Sequence, residues 1–176
     1  KRAEAAVIES EDRYRNLIEG SYDLVQSVSP DGKFSIVNKA WLDALGYRKE
    51  ELEDMSAFDV VHQDSIQHCQ EIFERVLKGE SVKNFETTFI TKNGKMMLLE
   101  GKAVPRIKGD KIIGTQSFFR DITDQKRVEQ ELKQWGHIFK NAQLGIAVST
   151  SDGKKIEMSN PNYEKMVGYT SRELKN

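Results

Sequence analysis

The hydrophobic pattern of the N-terminal half predicts a long helix followed by two short strands. Residues 2–19 carry apolar or small side chains at spacings of four and three, the pattern of a weak coiled-coil seam. These positions are Ala3, Val7, Ser10, Tyr14 and Leu17. Residues 24–28 and 33–37 read as strands, and the turn residues Pro30-Asp31-Gly32 lie between them.

The rest of the chain predicts further helices and three longer strands. Asp64 or Ser65 would cap a helix that ends near Leu77. Asn93-Gly94 is a strong hairpin signal between two of the strands. The other predicted segments are a helix capped by Asn38 and ended by Gly46, a helical turn at 49–52, strands 85–91, 95–105 and 112–122, and a helix over 124–139. That last helix repeats apolar residues as a second seam: Val128, Leu132, Trp135 and Phe139.

The order of these elements predicts the fold class. Strands gathered on either side of short helices indicate an α+β domain with an antiparallel sheet, one face of which is covered by helices. The helices at both ends, 2–19 and 124–139, carry apolar stripes that the domain alone need not bury. They are expected to pack on the sheet or on a second chain.

An internal repeat predicts the domain organisation. Residues 38–52 and 160–174 match with an offset of 122 residues, and Asp31-Gly32 matches Asp152-Gly153 with an offset of 121. The identical pairs are Asn38/Asn160, Gly46/Gly168, Tyr47/Tyr169, Glu51/Glu173 and Leu52/Leu174. A register held over this length indicates a tandem array. We predict an N-terminal amphipathic helix at 1–19, a complete domain at 20–123, a linker helix at 124–139 and the truncated start of a second domain at 140–176.

Composition narrows the classes of partner. The 27 basic and 28 acidic residues give a net charge of -1, so no long-range attraction to nucleic acid or to anionic lipid is expected. No apolar run approaches the roughly 20 residues that span a bilayer, so no direct membrane insertion is expected. The single cysteine, Cys69, cannot form an internal disulfide. The chain is predicted to be cytoplasmic.

The ordered motifs resemble the PAS domain family. They are the stretch from Asn38 through Trp41 and Gly46-Tyr47 to Glu50-Glu51-Leu52, the His62–Asp64 turn, the Lys92–Lys95 hairpin and the closing Asp121-Ile122-Thr123. The resemblance covers 14–125 and again 137–176. It implies the PAS fold: a five-stranded antiparallel sheet with short helices on one face, enclosing a pocket.

The resemblance also implies a function. Such domains sense a small-molecule ligand or dimerise, here as a homodimer through the flanking helices. They pass a change in ligand state or subunit packing to an output domain in the same protein, such as a histidine kinase or a cyclic-dinucleotide enzyme. Asp121, Ile122 and Thr123 are the expected signal-coupling residues. A ligand-free structural spacer is the alternative function. No phosphate loop, paired-histidine metal motif or nucleophile elbow is present in the sequence, so catalysis and a metal site are not predicted.

Haem and flavin are considered as cofactors and disfavoured. His68 lies where haem-binding members place their axial ligand, which would make a gas or redox sensor. However, Glu74 and Phe85 stand where that subfamily has arginines. Ala57 replaces the reactive cysteine of the light-sensing flavin subfamily, and Cys69 lies on another helix. Non-covalent flavin near Trp41 stays open, and the identity of any cofactor is unknown.

Seven apolar residues are candidates for the pocket lining, and a filled core built from the same residues is the equal alternative. They are Trp41, Phe73, Val76, Phe89, Met97, Leu99 and Phe119. Because side chains alternate along a strand, Met96-Met97 and Phe118-Phe119 are each predicted to place one member inward and the other outward.

Overall fold

A computed structural model describes residues 2–153 and 155–174. Lys1, Lys154, Lys175 and Asn176, and the side chains of Ala3, Val7 and Ser10 in the predicted N-terminal seam, lie outside the described part. The elements of the first 123 residues are α1 (Arg2–Glu19), β1 (Leu24–Val28), β2 (Phe34–Val37), α2 (Lys39–Leu45), a 3₁₀ helix (Lys49–Leu52), α3 (Gln63–Leu77), β3 (Val82–Ile90), β4 (Met96–Lys108) and β5 (Lys111–Asp121). Helix α4 (Thr123–Asn141) follows.

The five strands form one sheet in the order β2-β1-β5-β4-β3, with every neighbouring pair antiparallel. The α+β class and the five-stranded sheet are therefore confirmed. The first and last strands meet at the centre of the sheet, which sets Gln26 of β1 opposite Ser117 of β5 and Val28 opposite Thr115. This long-range pairing positions the candidate site described below.

Local capping explains most helix boundaries. The Asn38 side chain accepts a hydrogen bond from the Trp41 N–H, and Gly46 ends α2 in the left-handed conformation at φ 77°. Both roles were predicted. The strand β2 begins at Phe34 rather than Lys33, which makes only an isolated bridge to Ser56.

The predicted cap of α3 is wrong. His62, and neither Asp64 nor Ser65, is the N-cap, and its Nδ1 accepts from the Asp64 N–H at 3.3 Å. The reason lies in the sheet. The His62 N–H donates to Thr88 O at 2.8 Å, and the Ser65 hydroxyl accepts from the Thr88 N–H at 3.2 Å. Strand β3 therefore holds the start of the helix two or three residues earlier than the local sequence indicates.

The core lies between one face of the sheet and the helices. It includes Trp41 and Leu45 from α2, Ile72 and Val76 from α3, and Leu99 from β4, all of them buried. The predicted alternation is confirmed for the methionine pair, because Met97 is 8% exposed and Met96 is 53% exposed. Phe119 is likewise buried while Phe118 is half-buried.

Residues 124–176 form a second compact unit. Most of α4 belongs to it, together with the hairpin β6 (Ala147–Ser149) and β7 (Ile156–Ser159) and the helices α5 (Pro161–Val167) and α6 (Ser171–Leu174). No residue of α4 is buried: Val128, Leu132 and Trp135 of the predicted seam are 49%, 67% and 68% exposed. Among the described residues, no helix is long and apolar enough to cross a bilayer.

The fully buried Asn160 repeats the contacts of Asn38. Asn38 Oδ1 accepts from the N–H groups of Val25 and Trp41, both at 3.0 Å. Asn160 Oδ1 accepts from those of Ile146 and Tyr163, at 2.8 and 2.9 Å. The aligned asparagines therefore organise the same strand-to-helix turn in each unit.

Candidate functional site

A cavity of about 50 Å³ lies between α3 and the inner face of the sheet. The segment between the 3₁₀ helix and α3 also contributes to its wall. The lining residues are Gln26, Val28, Ala57, Phe58, Val61, Cys69, Ile72, Phe73, Val76, Phe85, Phe89, Ala103, Thr115, Ser117 and Phe119. The cavity is about a third of the roughly 150 Å³ of an apolar cavity that admits benzene, so it suits a molecule of very few non-hydrogen atoms.

Three polar side chains on the sheet form what we call the cavity floor: Gln26, Thr115 and Ser117. They are 6%, 3% and 6% exposed. Their strand register places them on one face, because Gln26 pairs with Ser117, and Thr115 is two residues from Ser117. A polar group is therefore present in an otherwise apolar enclosure.

Among the described lining residues, the only titratable side chain is the Cys69 thiol, which lies on the α3 side of the cavity. Burial raises the pKa of this thiol, although its 3.1 Å contact with the Thr87 hydroxyl acts in the opposite direction. Because the thiolate is the nucleophile, a raised pKa keeps Cys69 unreactive near neutral pH. The lining residues within the described ranges include no charged side chain.

Two aromatic rings close one side of the cavity, and a glycine makes room for them. A Cβ at Gly101 would lie 2.6 Å from Phe85 Cζ and 2.8 Å from Phe119 Cε1. The Phe85 and Phe119 rings meet edge to face with their centroids 5.9 Å apart. The absence of a side chain at Gly101 therefore allows both rings to occupy their positions in the cavity wall.

Four of the seven predicted pocket residues line the cavity: Phe73, Val76, Phe89 and Phe119. Trp41, Met97 and Leu99 lie in the surrounding core and are not part of the lining. His68 is exposed on α3, with its ring 6.3 Å from the Phe85 ring, and it does not line the cavity.

Sequence reasoning missed the cavity floor. The available signal was the strand period of two, since Gln26 lies between the inward residues Leu24 and Val28. Thr115 and Ser117 share the same period with the inward Phe119. A polar residue at an inward strand position was therefore the signal to follow.

The second part of the site is the β5–α4 junction, Asp121–Thr123, where β5 passes into α4. Asp121 Oδ1 accepts from the Thr123 N–H at 2.8 Å. The Thr123 hydroxyl accepts from the Leu98 N–H at 2.9 Å, and the Ile122 N–H donates to Leu98 O at 2.9 Å. A side chain thus continues the β4–β5 hydrogen bonding by one further step and attaches the first residue of α4 to the sheet.

No cluster of three or more His, Cys, Asp or Glu side chains within the described ranges is arranged to hold a metal ion. The arrangement that the structure presents is a small neutral cavity with a polar floor, joined by β5 to the start of a helix.

Comparison with known proteins agrees with this architecture. A crystal structure of a PAS domain from Colwellia psychrerythraea matches with a TM-score of 0.58 and 18% identity, over 65% of this chain and 97% of that one. A domain of a sensory box sensor histidine kinase/response regulator from Geobacter sulfurreducens matches with a TM-score of 0.55 and 23% identity, over 65% and 96%. At these identities the likeness concerns the fold.

Sequence relatives carry the assignment further. The methyl sulfide methyltransferase-associated sensor of Methanosarcina acetivorans is 32% identical over 126 residues, which is 70% of this chain and 12% of that much longer protein. The family model described as PAS domain matches residues 24–124, which begin at β1 and end just past the β5–α4 junction. The chain belongs to the PAS domain family.

Proposed function

We propose that this chain is the sensory and dimerisation region of a multidomain signalling protein, and that it relays changes in the first domain through α4 to an output domain. One observation carries the proposal: β5 supplies Thr115 and Ser117 to the cavity floor and then enters the β5–α4 junction, Asp121–Thr123. Strand β5 is part of the cavity wall and leads directly into α4, so a displacement of the wall would be transmitted to the start of the helix. This requires two conformations of the domain that differ at the junction, and a ligand or a partner chain must bind one of them with higher affinity than the other.

We propose an output domain of the histidine kinase or cyclic-dinucleotide type, and the names of the relatives support the first of these. The curated relative is named a sensor, and one solved neighbour is a domain of a sensor histidine kinase. Neither name specifies the ligand of this chain. We infer that catalysis belongs to another domain, because the cavity lining offers only a protonated thiol.

Dimerisation through α4 is part of the proposal. Val128, Leu132 and Trp135 present an exposed apolar stripe at spacings of four and three. In a two-stranded coiled coil such side chains are buried against the same residues of a second helix. A homodimer is the partner that matches this stripe.

The second unit is proposed to be the start of another PAS domain. The recurring contacts of Asn38 and Asn160 support this, and so do the left-handed glycines Gly46 and Gly168, both at φ 77°. Under this proposal α4 joins two sensory domains and carries the change from the first into the second.

The substitution Thr123→Val tests the relay. It keeps the side-chain shape, removes the hydroxyl and leaves the Leu98 N–H without its acceptor. We expect faster hydrogen exchange at the Leu98 amide and along the first turns of α4, with unchanged protection in β1 and β3. Thr123→Ser keeps the hydroxyl and is the matched control. If the valine variant exchanges like wild type throughout α4, the junction does not control the helix.

A passive spacer is the second candidate function. The small volume of the cavity favours it, because a nearly filled core needs no ligand. The two functions differ in one measurement: a spacer shows the same α4 hydrogen exchange with and without an occupant in the cavity, and a sensor does not.

A further inference from the structure

We propose that the cavity takes a small, uncharged ligand that carries a hydrogen-bond acceptor, such as a carbonyl or amide oxygen, and that Gln26 recognises it. This inference deepens the proposed function by naming the ligand class, and it rests on the same cavity. Four properties of the site lead to it: the fixed orientation of an amide, three unpaired polar groups, the absence of charge and the volume.

The orientation of the Gln26 amide follows from Trp41. The indole Nε1–H of the fully buried Trp41 donates to Gln26 Oε1 at 2.9 Å. An indole nitrogen can only donate, so the amide oxygen must face Trp41. The amide NH₂ is the remaining polar group of Gln26, and a carbonyl or similar acceptor is the group that complements it.

The floor has unused hydrogen-bonding capacity. Gln26 Nε2, Thr115 Oγ1 and Ser117 Oγ form no hydrogen bond with any residue in the described ranges, although all three side chains are more than nine-tenths buried. No completely buried side-chain nitrogen or oxygen in those ranges lacks a partner. Since these three atoms have no partner in those ranges, they cannot be completely buried and must face open space. The space that these residues line is the cavity.

Charge and size restrict the ligand further. The described lining residues include no charged side chain, so an ionised ligand would lose its hydration without gaining a counter-charge, which is strongly unfavourable. An entirely apolar ligand would leave the three floor groups without hydrogen-bond partners, which is unfavourable for each buried polar group. The volume of about 50 Å³ limits the ligand to very few non-hydrogen atoms.

Formamide, formate and propane test this class, because they have the same number of non-hydrogen atoms and differ in charge and polarity. The probe signal is the Nε1–H resonance of Trp41 in ¹H–¹⁵N NMR spectra of the whole chain, in a Trp135→Phe background that leaves a single indole. Hydrogen bonds in a chain polarise one another. An acceptor bound to Gln26 Nε2 should therefore shift the Trp41 resonance. We expect a saturable shift with formamide and weaker binding of formate and of propane.

Two variants locate the binding. Ala103→Val places two additional methyl groups in the cavity and is expected to abolish the saturable shift. Ser117→Ala removes a hydroxyl that has no protein partner, so the fold should keep its stability while formamide binds about five- to tenfold more weakly, as expected for one neutral hydrogen bond. Ala147→Val, in the second unit, is the control for adding the same volume elsewhere.

The outcomes separate this inference from the relay. Formate binding as tightly as formamide, propane binding more tightly, no saturable shift with any probe, or unchanged affinity in Ser117→Ala would each overturn the ligand class. If the ligand class is refuted but Thr123→Val still speeds hydrogen exchange in α4, the proposed relay through the junction is retained. If formamide binds as expected and Thr123→Val leaves α4 unchanged, the ligand class stands and the relay is refuted.

Discussion

Replacing Asn38 by alanine should cause the largest loss of stability from a single polar side chain in the first domain. Asn38 is fully buried and its amide makes four hydrogen bonds of 3.0 Å, two as acceptor and two as donor. Its oxygen accepts from Val25 and Trp41, and its nitrogen donates to the carbonyl oxygens of Ile18 and Asp23. One side chain thus joins α1, β1 and α2.

The magnitude follows from the groups left behind. Alanine leaves the Val25 and Trp41 N–H groups unpaired in the interior, at about 1–3 kcal/mol each. It also removes the N-cap of α2, one of the two acceptor bonds just counted. The carbonyl oxygens add less, because they have second lone pairs. We expect a total of about 3–5 kcal/mol, a large part of the 5–15 kcal/mol typical of a whole domain.

Urea unfolding measures this loss. The fluorescence of Trp41, in a Trp135→Phe background, reports the first domain alone. With a typical urea slope of about 2 kcal/mol per molar, the midpoint should fall by about 1.5–2.5 M. Asn160→Ala is the matched control, since it removes the equivalent side chain of the second unit and should leave the Trp41 transition in place. A loss below about 1 kcal/mol for Asn38→Ala would show that water or a shifted backbone satisfies the exposed groups.

Three further predictions concern a glycine, the thiol and the exposed helix. Gly114→Ala should destabilise the first domain by more than about 2 kcal/mol in urea unfolding, because a Cβ there would lie 2.3 Å from Val28 O and the residue has φ 146°. The Cys69 thiol should react more slowly with a disulfide reagent in the folded chain than in urea, because burial raises its pKa. Because of this raised pKa, the contribution of the thiol to stability should be constant below the ordinary thiol pKa of about 8.5 and should be lost as the pH rises further. The measurement is the difference in free energy of unfolding between wild type and Cys69→Ala, followed from about pH 7 to about pH 10. Leu132→Asp should convert a dimer to a monomer in sedimentation equilibrium, because the charge would be buried between two helices.

Each of these predictions has a control or an outcome that would contradict it. Gly94→Ala also has a positive φ but meets no atom within 4 Å, so it should cost only the roughly 1 kcal/mol of the left-handed conformation. Equal losses at Gly94 and Gly114 would remove the steric argument. Equal thiol reaction rates in folded and unfolded chains would mean that Cys69 is accessible. A wild-type chain that stays monomeric at high concentration would refute dimerisation through α4.

The pattern of residues along the chain determined the local structure of this protein. Asn38 and Gly46 mark the ends of α2, and Asn93-Gly94 marks the β3–β4 hairpin, because capping and tight turns depend on neighbours within a few residues. Alternation predicted that one of Met96 and Met97 points inward and the other outward, and the repeat aligned Asn160 with Asn38. In each case the physical cause acts over a short stretch of chain, so the sequence itself carries the signal.

Tertiary structure decided the cap of α3 and the site. His62 begins that helix because Thr88, on a distant strand, binds both ends of its first turn. Gln26 faces Ser117 only because β1 and β5 pair at the centre of the sheet, and its amide is oriented by an indole from α2. The cavity is space that the packed side chains of α3 and the sheet leave unfilled. Such properties depend on residues far apart in the chain and on how their volumes fit together, and no local pattern in the sequence encodes them.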